Sequence, residues 1–368
     1  REDFMTSSSD SELDWSGAES FVGKNILVEP KVGVEVVEAS SIRRQLEVLE
    51  MDCPLHFDDK VAKEHGYDGI FAPPHMIQTF QTASLWEPGM DSIWTTDDPH
   101  FTVSGTGRAG KINEVPSPGT AGFITDLSVE FLKPLYIGDR VSQVSQTLMT
   151  VNPRKTRVGD GCFLTYEYFF ENQNGERVGR QVMTAYSYIP YPQEETGAGG
   201  GGGNQEESTE RVIAPQTNAK IDWSKQRYFE DVNEGDELQD IHYPLTIQRM
   251  VIAAGANRDF NAIHHSTVAA NRGGAADMYA MNYFHNGMWE RSVREYIGLD
   301  GTIKQTGPFR MKVFSTVGDT VVVKGKVNRK YQEGGENLVE LEMQSVLANK
   351  GNVSVGPGPV TVTLPSRG

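Results

Sequence analysis

A chain of 368 residues with 38 % hydrophobic content is long enough to bury two ordinary cores. With 50 acidic against 34 basic residues the formal charge is -16, which repels nucleic acid and anionic membrane and excludes both as expected partners. Cys53 and Cys162 show no CxxC or Cys/His spacing, which argues against a zinc site and a secreted disulfide scaffold, and no apolar run approaches the roughly 20 residues of a membrane span. A cytoplasmic protein is expected.

In chain order, residues 1–20 read as a disordered tail. Its first fifteen residues are acidic and Ser-rich, where a signal peptide would be basic and then apolar. Asp52-Cys53-Pro54-Leu55-His56 sets a carboxylate four residues from an imidazole, but Asp-Cys-Pro is an adequate turn by itself, so the segment reads as a turn or a relic. Pro73 and Pro74 then suit the start of a helix over IQTFQTASLW, with Ile77, Phe80 and Leu85 facing a core. Phe80, Trp86, Trp94 and Phe101 could line a wide apolar pocket and are equally good core residues. Three β-rich runs follow, RVSQVSQTLMTV, CFLTYEYFFEN and RVGRQVMTAYSYI, separated by turn signals such as Asn174-Gly175; they predict an antiparallel meander. Arg154, Lys155 and Arg157 form a small basic cluster, fit either for a phosphate or for a solvated turn.

Residues 193–210, QEETGAGGGGGNQEESTE, contain nothing able to anchor a core and predict a flexible linker. Beyond it the pattern repeats. A helix is predicted over 287–297, where Trp289, Val293 and Ile297 share one stripe, Glu290, Arg291, Arg294 and Glu295 fill the other faces, and Gly298 stops the run. DTVVVKGKVNRKY, NLVELEMQSVLANK and GPVTVTLP then predict three more strands, and Gly138-Asp139 corresponds to Gly318-Asp319. The expectation is an α+β chain made by internal duplication, a helix wrapped by an antiparallel sheet, twice.

The densest polar segment is Asn257-Arg258-Asp259-Phe260-Asn261-Ala262-Ile263-His264-His265. An Asp and a His converging on one water supply a base to activate it and an acid to return a proton, the requirements of a hydratase, with no metal or cofactor. Free backbone amides at the start of the predicted helix, near Gly287, could stabilise charge on a thioester oxygen. The alternative is a turn aspartate and a structural histidine. A metal site is the weakest reading, since two adjacent histidines and one aspartate lack zinc or iron spacing.

RDFNAIHH resembles the D-x-N-P-x-H motif of MaoC-like (R)-specific enoyl-CoA hydratases. Asp259, Asn261 and His264 match it, with Ala262 in place of the proline. The longer stretch through HNGMWERSVREYIGLDG to VGDTVVVKGKV is similar to steroid side-chain enoyl-CoA hydratases. The first half, with HFDDKVAKEHGYDGIFAPPHM, FLKPLYIGDRV and RQVMTAYSYIPY, resembles FAS1-like dehydratase domains, which typically lack the full pair. The resemblance implies a double hot-dog fold, with an acyl-binding hot-dog over 21–192 and a catalytic one over 211–368. It implies Asp259 and His264 as catalytic residues, Asn261 and Gly287 as loop and oxyanion support, and His285 and Asn286 against the substrate. It further implies a bulky enoyl-CoA as substrate, an (R)-3-hydroxyacyl-CoA as product, no cofactor and no metal. A homodimer is expected from exposed sheet edges. A hot-dog thioesterase, a non-catalytic acyl-binding module, or the same enzyme run as a dehydratase are the competing readings.

Overall fold

The computed structural model describes residues 11–82, 84–103, 111–156, 158–191, 218–272 and 275–367. The predicted linker over 193–210 lies outside them. In the first half, strands β1 (Lys31–Val32), β2 (Ala121–Phe131), β3 (Ser142–Thr156), β4 (Gly159–Glu171) and β5 (Arg177–Pro190) accompany helices α1 (Ser16–Glu19), α2 (Ala39–Leu49), α3 (Asp59–Glu64) and α4 (Ile77–Phe80). In the second, β6 (Ile241–Pro244), β7 (Thr302–Arg310), β8 (Thr320–Glu333), β9 (Glu336–Leu347) and β10 (Asn352–Thr363) accompany α5 (Ile247–Asn257), α6 (Thr267–Arg272) and α7 (Asn282–Ile297). The strands join into one antiparallel sheet in the order β1-β3-β4-β5-β2-β7-β10-β9-β8-β6. The halves meet edge to edge, Leu127 opposite Phe309 and Val129 opposite Thr306.

The predicted strands are present, and each half has more of them. β2 and β7, which carry the junction, were not among the predicted elements. The turns use the residues expected: Gly175, Gly334, Gly335 and Gly351 all have positive φ, which costs glycine least.

The duplication is close. Ala39–Leu49 recurs as Ile247–Asn257, Asp59–Glu64 as Thr267–Arg272, and the single 3-10 turns Pro54–His56 and Ala262–His264 keep the same spacing. Each half also closes the Gly-Asp turn alike: Asp139 Oδ2 accepts from the Tyr136 amide at 2.8 Å, and Asp319 Oδ2 from the Thr316 amide at 2.9 Å.

Three expectations are corrected. Within the predicted tail, the described residues 11–20 belong to the fold: Trp15 is 2 % exposed and packs with Ala18, Leu148, Cys162 and Leu164. The first-half helix ends at Phe80, a single turn, and Leu85 is only half-buried. The second-half helix begins at Asn282, not Gly287. Its polar residues do not face water but a seam against the first half, which is why Glu290, Arg291 and Arg294 are all buried. Each has a hydrogen-bond partner, Glu290 and Arg291 across the seam and Arg294 within its own half. Arg294 Nη1 donates to the carbonyls of Gly298 and Gly301 at 3.1 and 2.7 Å, and Arg291 Nη1 donates to Leu49 O at 2.6 Å.

Candidate active site

Helix α5 is capped by Thr246, whose hydroxyl accepts from the Arg249 amide, and it ends where Arg258 turns left-handed at φ 55°. That reversal delivers Asp259 into the loop. Asp259 Oδ1 accepts from the Asn261 amide at 3.3 Å, and Asn261 Oδ1 accepts from the Ile263 amide at 3.4 Å, opening the 3-10 turn that carries His264. Without the motif's proline, Asn261 holds this turn from its side chain.

His264 is fixed by its other nitrogen. Nδ1 lies 2.8 Å from Tyr279 O, so Nδ1 donates and Nε2 is left to face Asp259 Oδ2 at 3.6 Å. That separation exceeds a direct hydrogen bond and suits two groups sharing one small molecule. The Tyr279 ring meets His264 edge-on and stacks on Phe314 at 4.2 Å, which fixes the imidazole plane. His264 is nearly buried, whereas Asp259 keeps about a quarter of its side chain open.

The first turn of α7 closes the site. The Met281 carbonyl accepts from the amides of Phe284 and His285, leaving those of Asn282 and Tyr283 without a backbone acceptor among the described residues. Burial raises the phenols of Tyr279 and Tyr283 above the ordinary tyrosine range, helped at Tyr279 by Tyr188 and then Asp259 and at Tyr283 by Asp259, so both side chains lie within reach of that carboxylate's charge. His285 is buried one turn further on, with neither ring nitrogen partnered among the described residues; burial, reinforced by nearby His264, lowers its pKa to about 3, so it is neutral. Burial likewise lowers His265, with His264 opposing its charge and Asp259 favouring it.

The predicted residues therefore separate. Asp259, Asn261 and His264 converge. His285 borders the pair, and Asn286 is buried behind it. Gly287 is a mid-helix residue facing the other half: a Cβ there would lie 2.9 Å from both His75 Nε2 and Leu49 Cδ1. The helix-start amides without a backbone acceptor among the described residues are those of Asn282 and Tyr283, which reading Gly287 as the helix start concealed. Tyr279 and Tyr283 were also missed, since a lone tyrosine in a loop gives no periodic signal.

The first half shows what a site without its carboxylate looks like. Its helix α2 ends through left-handed Glu50, and His56 Nδ1 reaches Phe71 O at 2.9 Å as His264 reaches Tyr279. The residue following the cap, where Asp259 stands in the second half, is buried Met51. Asp52 is one place out of register and accepts from Trp223 Nε1 at 3.1 Å instead. Of the aromatic residues considered for a pocket, Phe80 is buried, while Trp86, Trp94 and Phe101 are exposed. Lys155 of the basic cluster is engaged by Glu12, and Arg157 lies outside the described residues. A cavity of about 210 Å³ opens at the seam beside the Asp259 loop, lined by Arg44, Phe80, Gly255, Arg258 and Phe260 among others. Among the described residues no group of His, Cys, Asp and Glu is arranged to hold a metal, and no helix is long and apolar enough to cross a membrane.

Residues 20–181 match the FAS1-like dehydratase domain region. A protein of Thermomonospora curvata named "Probable enoyl-CoA hydratase alpha subunit" is 27 % identical over 184 residues, 48 % of this chain and 53 % of that protein. The 3-oxo-4,17-pregnadiene-20-carboxyl-CoA hydratase alpha subunit of Mycobacterium tuberculosis is 26 % identical over 137 residues, 37 % of this chain and 40 % of that one. The chain thus spans about half the length of the curated relatives it matches, or less. Among solved structures, a MaoC-like dehydratase superposes with a TM-score of 0.66 at 19 % identity, covering 95 % of this chain and all of the other. One from Phytophthora capsici gives 0.57 at 14 % identity, with 95 and 99 % covered. A Mycobacterium tuberculosis protein described as a double hot-dog gives 0.58 at 10 % identity, with 93 and 96 % covered.

Proposed function

We infer, from a chain that has the MaoC-like double hot-dog fold and a FAS1-like dehydratase region over residues 20–181, that it is an enoyl-CoA hydratase with Asp259 and His264 as its working pair. The observation that carries this reading is the 3.6 Å approach of Asp259 Oδ2 to His264 Nε2, with the imidazole's other nitrogen committed to Tyr279 O. With Nδ1 the donor to Tyr279 O, Nε2 in that tautomer and a carboxylate oxygen are both acceptors, so one water can donate to each. As the pair draws off one proton, the water oxygen bonds to C3 of the 2-enoyl thioester and the double-bond electrons move to C2 and the thioester oxygen. The amides of Asn282 and Tyr283, at the positive end of a 16-residue helix, receive that oxygen. The held proton then passes to C2 on the same face, giving the (R)-3-hydroxyacyl-CoA. The reaction consumes only water and the CoA thioester; the Asp/His pair supplies the acid and base, so the chemistry asks for no further cofactor.

The acyl group proposed is bulky, of the steroid side-chain kind named for the mycobacterial relative. In support, a 16-residue helix covers the second-half sheet whereas a four-residue helix covers the first, which leaves that sheet room for a large group. A cytoplasmic homodimer completes the proposal. The test is loss of the enoyl-thioester absorbance across acyl-CoAs of increasing bulk. Hydration that rises with bulk supports the reading; activity confined to short chains overturns the substrate, and hydrolysis of the thioester without hydration overturns the reaction.

A further inference from the structure

A chain of four buried polar side chains crosses the seam between the halves and ends two residues before Asp259. Glu290 on α7 accepts twice at one oxygen, from the His75 amide at 2.7 Å and from His75 Nδ1 at 2.8 Å. Asn257 Nδ2 faces a carbonyl, so its Oδ1 faces Gln45 Nε2, and that amide nitrogen, 2.9 Å from His75 Nε2, donates to the ring nitrogen while Nδ1 donates to Glu290. The second hydrogen of the same amide points to Asn257 Oδ1 at 3.2 Å, and Asn257 Nδ2 donates to Ala253 O at 2.9 Å. Every donor along this path meets an acceptor, and a reversed Asn257 would face a carbonyl with its own oxygen. The polarity is fixed from Glu290 to the end of α5. All four residues are at most 3 % exposed.

From this juxtaposition we propose that His75, contributed by the first half, is a positioning residue for Asp259, acting through Gln45 and Asn257; the proposal rests on the Asp259–His264 reading. Asn257 is the last residue of α5, and the left-handed Arg258 that follows turns the chain directly into Asp259. Holding Asn257 from both sides fixes where that turn occurs. Gly287 belongs to the same device, since any side chain there would occupy the place of the His75 ring. The half without a carboxylate at its own site thereby determines where the other half's carboxylate stands. A displacement of even 1 Å at reacting atoms can cost about a hundredfold in rate.

The experiment compares Gln45→Met, His75→Gln and His75→Asn with Asp259→Asn in the full chain, reading kcat and KM for hydration, thermal midpoints, and the ¹⁵N and ¹H signals of the His264 ring. Gln45→Met keeps length and removes both donations. It is expected to lower kcat about tenfold with KM within about twofold, and to shift the His264 ring signals. His75→Gln keeps an acceptor toward Gln45, whereas His75→Asn keeps a donor toward Glu290. Positioning through Gln45 requires the Gln variant to retain more kcat than the Asn variant, while a purely structural tie to Glu290 gives the opposite order. Unchanged kcat and unmoved His264 signals in Gln45→Met, or the opposite order, overturn the proposal. Asp259→Asn hydrating at the wild-type rate would instead remove the catalytic reading beneath it. If no acyl-CoA tried is hydrated, the His264 signals alone decide.

Discussion

His56 and His264 occupy the same place in the two halves, each with Nδ1 on the carbonyl of the residue fifteen positions later, but of the two only His264 has a carboxylate within ion-pair distance among the described residues. The residue after the first-half helix cap is Met51, and His56 Nε2 has no hydrogen-bond partner among the described residues. This asymmetry predicts that chemistry depends on one half. Asp259→Asn and His264→Ala should each lower kcat by about a hundredfold to ten-thousandfold, with circular dichroism unchanged, whereas Asp52→Asn should leave the rate within about twofold of wild type, the usual tolerance of a residue outside the reacting site. Steady-state assays on an enoyl-CoA check all three.

Two buried neutral histidines set an acid limit on stability. Burial lowers His56 to about 4 and His285 to about 3, both below the ordinary histidine value of 6.5. The unfolded chain therefore binds these protons first, so their contribution is complete above about pH 6.5. It declines as pH falls toward 4, by about 1.4 kcal/mol per pH unit for each histidine. Urea unfolding between pH 7 and 4.5 should show that slope, and His285→Phe should reduce it. A slope unaffected by the substitution would mean that His285 is not buried neutral.

Gly287→Ala puts a Cβ within 2.9 Å of both Leu49 and the His75 ring. Overpacking of this kind costs about 1–3 kcal/mol, read as a lower urea midpoint with an unchanged m-value.

Trp15 tests whether residues near the start of the chain belong to the fold. It is 2 % exposed against Leu148, Cys162 and Leu164, beneath strands β3 and β4. Trp15→Ala should destabilise by about 3–5 kcal/mol; a change below about 0.5 kcal/mol, typical of a surface substitution, would return the segment to the status of a tail.

Both thiols should resist modification. Burial pushes Cys53 and Cys162 up to about 12, so hardly any thiolate exists near neutrality. Ellman's reagent should find no thiol in the native protein and two after denaturation.

What the sequence made legible follows from which signals are local. The Asp259–His264 pair could be read because its spacing is fixed within one short loop, and the meander because its turns carry glycines where φ is positive. The start of α7 was not legible, since Met281 at its N-cap gives no side-chain hydrogen bond and Gly287 two turns along mimics a boundary. The polar side of α7 resembles a solvated face because charge alone does not say whether water or a second half lies opposite. The register slip that puts Met51, not Asp52, opposite Asp259 needed coordinates, as did the path from His75 to Asn257, whose members are far apart in sequence.

The junction of β2 with β7 has an evolutionary reading. In a pair of identical subunits every substitution appears in both seats, so neither copy can give up a carboxylate or a helix without the other losing it too. Tying the copies into one polypeptide, with a sheet running through both, removes that restriction and guarantees one of each kind in every molecule. The two copies are then free to differ, as Met51 and Asp259, or the four-residue and sixteen-residue helices, now do.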